Sequence, residues 1–167
     1  MFTIMARTTT KNDKMSQIKD VMNKLKDIDV LIGIPQEKDP RPKNTGVGNA
    51  ELLFIHTKGS PLRGIPARPV IEPAIEDDKE AITDLLGEAL KCILDGNVAE
   101  ANSYLEKAGL EGQGAAQDWF TNTKNNWAQN SPATIIAKQA KGSTNPMPLI
   151  DTGEMRKAIT YIIRGDV

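Results

Sequence analysis

Asp29-Val30-Leu31-Ile32-Gly33-Ile34, closed by Pro35, is a short run of aliphatic, partly β-branched residues. Such side chains pack well on a pleated surface and proline ends a ladder, so the run reads as a strand. Its apolar residues are nearly continuous, which predicts burial on both faces. The comparable run is Ala158-Ile159-Thr160-Tyr161-Ile162-Ile163, near the other end of the chain. Between them the pattern is helical or extended. Two strands flanking a helical chain are expected to share one sheet, bringing the chain ends together. The expected fold class is α+β: a small mixed or antiparallel sheet packed with several amphipathic helices, with long extended loops. Because both strands are short, a neighbouring subunit is a candidate to complete the sheet.

Working outward, residues 1–14 are polar and rich in Thr and Lys and read as a flexible N-terminal arm. Residues 15–167 read as a single α+β domain without internal repeats. Ile18, Val21, Met22 and Leu25 have helical spacing from Met15, with Ser16 as a cap. Residues 36–48 form a long exposed loop with Pro40, Pro42, Gly46 and Gly48. Asn49 is expected to cap a short helix ended by Gly59. Residues 59–73 contain Pro66, Pro69 and Pro73, which exclude a helix interior and a central strand. This segment is therefore extended and presents Arg63 and Arg68 on a stiff backbone. Pro73 suits the first turn of a following helix over about 74–94, which Gly96 stops. Asn97 caps a short helix to about Ala108, and Gly109 separates it from another around 113–122. Ser131-Pro132 is an N-cap with proline at the first position, so 132–140 is helical. Residues 141–148 form a loop, and 152–157 a turn or one short helix.

Composition narrows the function. Aromatic content is 4%, so the core is expected to be aliphatic and modest, with some segments packing only in an assembly. A formal charge of −1 gives no electrostatic case for wrapping nucleic acid. The single cysteine, Cys92, excludes an intramolecular disulfide and reads as a buried, inert thiol. With no 18-residue apolar run and no signal-peptide h-region, a soluble protein made in a reducing cytoplasm is expected, with no membrane partner.

Asp151-Thr152-Gly153 carries the most pointed chemical suggestion. This triplet holds the catalytic carboxylate of aspartic peptidases, in which two carboxylates share a proton and activate water. One copy per chain would demand a homodimer. Glu154 stands where a small residue usually follows, and residues 154–167 are too few for the flap and strands such a cleft needs. The structural alternative is a turn in which Asp151 or Thr152 caps the short helix after it. His56 is the one histidine, and no serine lies in a nucleophile-elbow pattern. No His/Cys cluster has metal-ligand spacing, and there is no P-loop or dinucleotide fingerprint, so no catalytic residue, metal or cofactor is expected. Trp119, Phe120 and Trp127 concentrate the aromatic content and read either as a hydrophobic anchor or as a subunit interface.

Several separated motifs occur in order: Val30-Leu31-Ile32-Gly33-Ile34; Ile55-His56 in a short helix; Ile65-Pro66-Ala67-Arg68-Pro69 leading into a long helix; Trp127 through Thr134 with Lys138 after it; and Pro148-Leu149-Ile150-Asp151-Thr152-Gly153-Glu154-Met155-Arg156 before a closing strand. This ordered set resembles the tail-completion and neck proteins of tailed bacteriophages, the group that includes minor tail protein Z-like and virion-morphogenesis proteins. The resemblance implies a non-enzymatic virion protein at the head–tail junction or head-proximal tail end, made in the host bacterial cytoplasm. It implies a hexamer-like ring of its own copies beside neck, tail-terminator or tail-tube proteins, with DNA contact entering only as a channel lining. Under that reading, Arg63, Pro66, Arg68, Pro69, Trp119 and Trp127 are candidate interface residues. Pro148, Asp151, Thr152, Gly153 and Arg156 shape the turn that launches the last strand.

Overall fold

The computed structural model describes residues 25–39 and 46–165, together with Lys19, Val21 and Asn23. The arm expected over 1–14 and most of the helix expected from Met15 lie outside these residues, although Lys19, Val21, Asn23 and Leu25 are helical. Residues 40–45 of the expected long loop also lie outside; Gln36–Lys38 form a short 3-10 turn.

The two strands pair as expected. β1 (Asp29–Gly33) runs antiparallel to β2 (Thr160–Arg164), with Asp29 opposite Arg164, Leu31 opposite Ile162 and Gly33 opposite Thr160. The described residues thus give an α+β fold with a two-stranded antiparallel sheet and helices between the strands. Burial on both faces of the sheet is not observed. Ile32 and Tyr161 face a long helix, whereas Leu31 and Ile162 on the other face stay 37% and 43% exposed. A single packed layer requires only every second residue to be apolar, so the continuous pattern leaves a hydrophobic outer face.

The helices follow as α1 (Asn49–Lys58), α2 (Ile71–Asp77), α3 (Lys79–Leu94), α4 (Val98–Asp118), α5 (Pro132–Ala140) and α6 (Glu154–Ala158). The single helix expected over 74–94 is two. α2 starts earlier, at Ile71, with Pro73 in its first turn, and the chain turns at Asp78 (φ −106°, ψ 16°). The apolar stripe continues across this break, so periodicity does not register it. α3 then ends as expected, with Gly96 in the left-handed region at φ 77°.

The two helices expected on either side of Gly109 are one. α4 is 21 residues long and capped by Asn97, whose side chain accepts from the Glu100 amide. Gly109 and Gly112 lie inside it on the face that meets the sheet. A Cβ at Gly109 would overlap the Tyr161 ring, and one at Gly112 would press on Ile32 and Ile75 at 3.0–3.1 Å. These glycines admit the sheet rather than stop the helix; each costs about 1 kcal/mol of helix propensity relative to alanine. α4 therefore carries the sheet on one side and α3 along its length.

The core lies where α2, the end of α4 and α6 converge. Val70, Phe120 and Ile159 are its largest fully buried apolar side chains, joined by Trp119, Trp127 and Met155. Phe120 and Trp127 meet edge to face, with centroids 5.9 Å apart at 89°. That geometry suits the ring quadrupoles. Gln117 donates to the Ile159 carbonyl at 2.9 Å, tying α4 to the entry of β2. No helix among the described residues is long and apolar enough to cross a membrane.

Gly109 and Gly114 make a matched pair, because a Cβ at Gly114 would meet open space. Gly109→Ala should destabilise the protein by about 1–3 kcal/mol through overpacking against Tyr161. Gly114→Ala should stabilise it by roughly 0.5–1 kcal/mol. Urea unfolding of the two variants checks this; equal effects would contradict the assigned α4–sheet contact.

Candidate functional site

Gly59 ends α1 with φ 70°, and the chain folds back at once into a closed loop. Ser60 and Ile65 exchange backbone bonds of 2.8 and 3.0 Å, with a 3-10 turn, Pro61–Arg63, at the tip. Residues 66–69 are then extended, as their prolines require, and the Arg68 amide donates to the His56 carbonyl at 2.7 Å. The Arg68 side chain does not project to solvent. It is 7% exposed and turned inward. Its Nη2 donates to the carbonyls of Ala128 at 2.8 Å and Gln129 at 3.3 Å, and its Nε to Ala128 at 3.2 Å. The Trp127 indole donates in turn to the Pro69 carbonyl at 3.1 Å. Residues 127–129 are thereby strapped along residues 68–69.

The strap leads into α5, whose cap is the expected one: Ser131 Oγ accepts from the Thr134 amide at 3.2 Å. From α5, Lys138 Nζ reaches three carbonyls of the following loop, Asn145 at 3.2 Å, Met147 at 2.8 Å and Ile150 at 2.5 Å. Asn130 Nδ2 donates to the Pro146 carbonyl at 2.8 Å. The loop held this way contains Leu149 at φ 59°, a left-handed conformation that needs such support in a residue with a branched side chain. Asp151-Thr152-Gly153 follows. Gly153 occupies the N-cap of α6 at φ 78° without a side-chain cap, so neither Asp151 nor Thr152 holds the expected N-cap; Thr152 Oγ1 instead accepts from the Glu154 amide at 3.4 Å within the preceding turn. Arg156 pairs with Asp118 at 2.9 Å and joins α6 to the end of α4.

These segments enclose a cleft of about 910 Å³ whose lining includes His56, Arg68, Asn130, Lys138 and Asp151 through Gly153. Motifs up to a hundred residues apart in sequence thus converge on one place. Asp151 is exposed on the cleft wall, and no hydrogen bond among the described residues holds its carboxylate. His56 is half-buried with Nδ1 unpartnered. Burial, and then the Arg68 charge, hold its pKa below the ordinary value of 6.5. Burial lowers the Arg68 guanidinium as well, although arginine remains charged at neutral pH. Cys92 is only partly buried, and desolvation followed by nearby carboxylates raises its thiol pKa, which keeps it protonated. Among the described residues no group of three His, Cys, Asp or Glu side chains is placed to hold a metal.

Several expected interface residues are placed otherwise. Arg68, Trp119 and Trp127 are buried in the chain's own core, because the arginine satisfies backbone carbonyls and the tryptophans supply the largest apolar surfaces near it. Of the two readings of the aromatic cluster, the anchor is the one observed. Arg63 and Pro66 are exposed, and Pro69 is half-buried. Asn49 was expected to cap α1 but is its first helical residue, with a carboxamide 1% exposed and unpartnered among the described residues. The cap is Asp39, ten residues earlier: its carboxylate accepts from the Asn49 amide at 2.9 Å and the Ala50 amide at 3.3 Å. The negative charge suits the positive end of the helix. Sequence spacing carries no signal for a cap delivered across a loop.

No family model matches the chain, and no curated protein or solved structure matches it either.

Two predictions follow from this geometry. Arg68→Ala should destabilise the isolated chain by roughly 2 kcal/mol, because three hydrogen bonds from a buried, charged donor are lost. Arg68→Lys should not restore the loss, since an ammonium lacks the planar fork. Urea midpoints of the three proteins decide it; an Arg68→Ala chain as stable as wild type would contradict the buried role.

The depressed His56 pKa means that the unfolded chain takes up a proton at higher pH than the folded chain. Its contribution to stability is full above pH 6.5 and declines as the pH falls through that value. Wild type should therefore lose more stability between pH 7.5 and pH 5.5 than His56→Gln does. Burial and Asp78 raise the Glu111 pKa, an effect of opposite sign common to both proteins. Equal losses in the two proteins would contradict the assigned environment of His56.

Proposed function

We propose that this protein is a structural virion protein of a tailed phage, a ring-forming neck or tail-completion subunit that finishes the tail and joins it to the head. The observation that carries the reading is the convergence of four of the five ordered motifs on one mutually bonded unit. Arg68 and Lys138 spend their donors on backbone carbonyls. The conspicuous residues of these motifs thus act on the shape of the chain, as a scaffold demands. The surface supports assembly as well. Phe54, Leu62, Leu110 and Ile136 are each more than half exposed, which leaves apolar side chains available to partners. The partners under this reading are further copies of the chain and the neighbouring neck, tail-terminator or tail-tube proteins.

A second reading, a dimeric Asp-Thr-Gly peptidase, is favoured only by the presence of Asp151, Thr152 and Gly153 in the wall of the cleft.

Electron microscopy of particles made without this protein tests the proposal. Filled heads beside separate, unjoined tails are expected, and normally joined particles would refute it. Asp151→Asn, at an exposed position, should leave folding within about 0.5 kcal/mol of wild type and restore joining fully. Failure of that variant to join heads to tails, accompanied by loss of a measurable peptidase activity, would favour the second reading.

A further inference from the structure

We propose that Leu62 is the knob of a contact between copies of this chain, seated in an apolar hollow on the outer face of the β1–β2 sheet of the next copy. This rests on the self-assembling part of the reading above.

The knob is built to project. Leu62 is 102% exposed, so its side chain is not packed against any of the described residues. It stands at the tip of a loop stiffened by the Ser60–Ile65 bridge, the bond from the Gly64 amide to the Pro61 carbonyl at 3.1 Å, and Gly64 at φ 65°. A leucine displayed on a preorganised backbone loses little entropy on docking. The hollow is lined by Leu31, Ile34, Pro35 and Ile162 among its apolar side chains and measures about 170 Å³.

Charge points to the same pairing. Arg63 follows Leu62 and makes no ion pair among the described residues. Glu37, two residues beyond Pro35 at the edge of the hollow, is exposed and also without an ion pair among them. Arg63 beside the knob and Glu37 two residues past the hollow are of opposite sign, and such complementary charges steer association. The knob and the hollow share no residue. One such contact therefore leaves a hollow on the first copy and a knob on the second, and repetition builds a ring where the rotation between copies closes. The second copy is the occupant because the same chain supplies both halves.

Crosslinking of the full chain tests this in a Cys92→Ser background, which removes the only native thiol. The double variant Leu62→Cys with Ile162→Cys should oxidise to a ladder of covalent oligomers. An equimolar mixture of the two single variants should give dimers and no ladder, and neither single variant should crosslink alone. In sedimentation velocity, Leu62→Asp should weaken self-association by roughly 30-fold or more without changing the thermal unfolding midpoint. Arg63→Glu should weaken it also, and adding Glu37→Arg should restore it. Wild-type oligomers that persist unchanged in Leu62→Asp would overturn this contact and leave the ring reading standing. A wild-type chain that stays monomeric at high concentration would overturn both. Self-crosslinking of Leu62→Cys alone would replace the proposed contact with a twofold one.

Discussion

A guanidinium removed from water must find partners for its donors, and Arg68 finds them in the backbone carbonyls of Ala128 and Gln129. Much of the molecule follows from that bond. It holds residues 127–129 against residues 68–69, which sets Trp127 on Phe120 in the core and lets its indole reach Pro69. The strap then fixes where α5 starts, and Lys138 on α5 shapes the loop that ends in Asp151-Thr152-Gly153. A planar fork bonded to fixed carbonyls specifies orientation as well as distance, which a more flexible cation would not. The cleft is therefore a by-product of two cations acting on the backbone.

The second constraint is the approach of the sheet to α4. An isolated two-stranded ribbon is at best marginally stable, so β1 and β2 depend on the helix beneath them. Two missing side chains, at Gly109 and Gly112, make that approach possible. Support from one side leaves Leu31 and Ile162 in solvent on the other. The intrachain packing that joins the ends of the chain thus also creates the surface on which we place a neighbouring copy.

Much of this was legible in the sequence where local chemistry decides. Both strands, the Ser131 cap and the terminations at Gly59 and Gly96 depend on residues adjacent in sequence, and the pairing of the strands was legible because the pattern between them is helical or extended. What was misread depends on distant partners. Gly109 looked like a stop because the Tyr161 ring that requires it lies fifty-two residues away. Asn49 looked like a cap because nothing local announces Asp39 in that role. The break at Asp78 left no mark because the apolar stripe runs through it. Arg68 was correctly singled out and wrongly aimed: the prolines around it fix an extended backbone but do not say which side faces the core. The expected turn at Asp151-Thr152-Gly153 formed, with Gly153 at the N-cap in place of Asp151 or Thr152.

Hydrogen exchange at the arginine Nε positions, followed by NMR on the 15N-labelled protein, tests the Arg68 anchor most directly. The Nε proton of buried Arg68 is bonded to the Ala128 carbonyl and should exchange in D2O markedly more slowly than that of a free side chain. The Nε proton of exposed Arg63 should exchange at the rate of a free side chain. If the two exchange equally fast, the guanidinium is in water, and the arrangement of strap and cleft built on it is wrong.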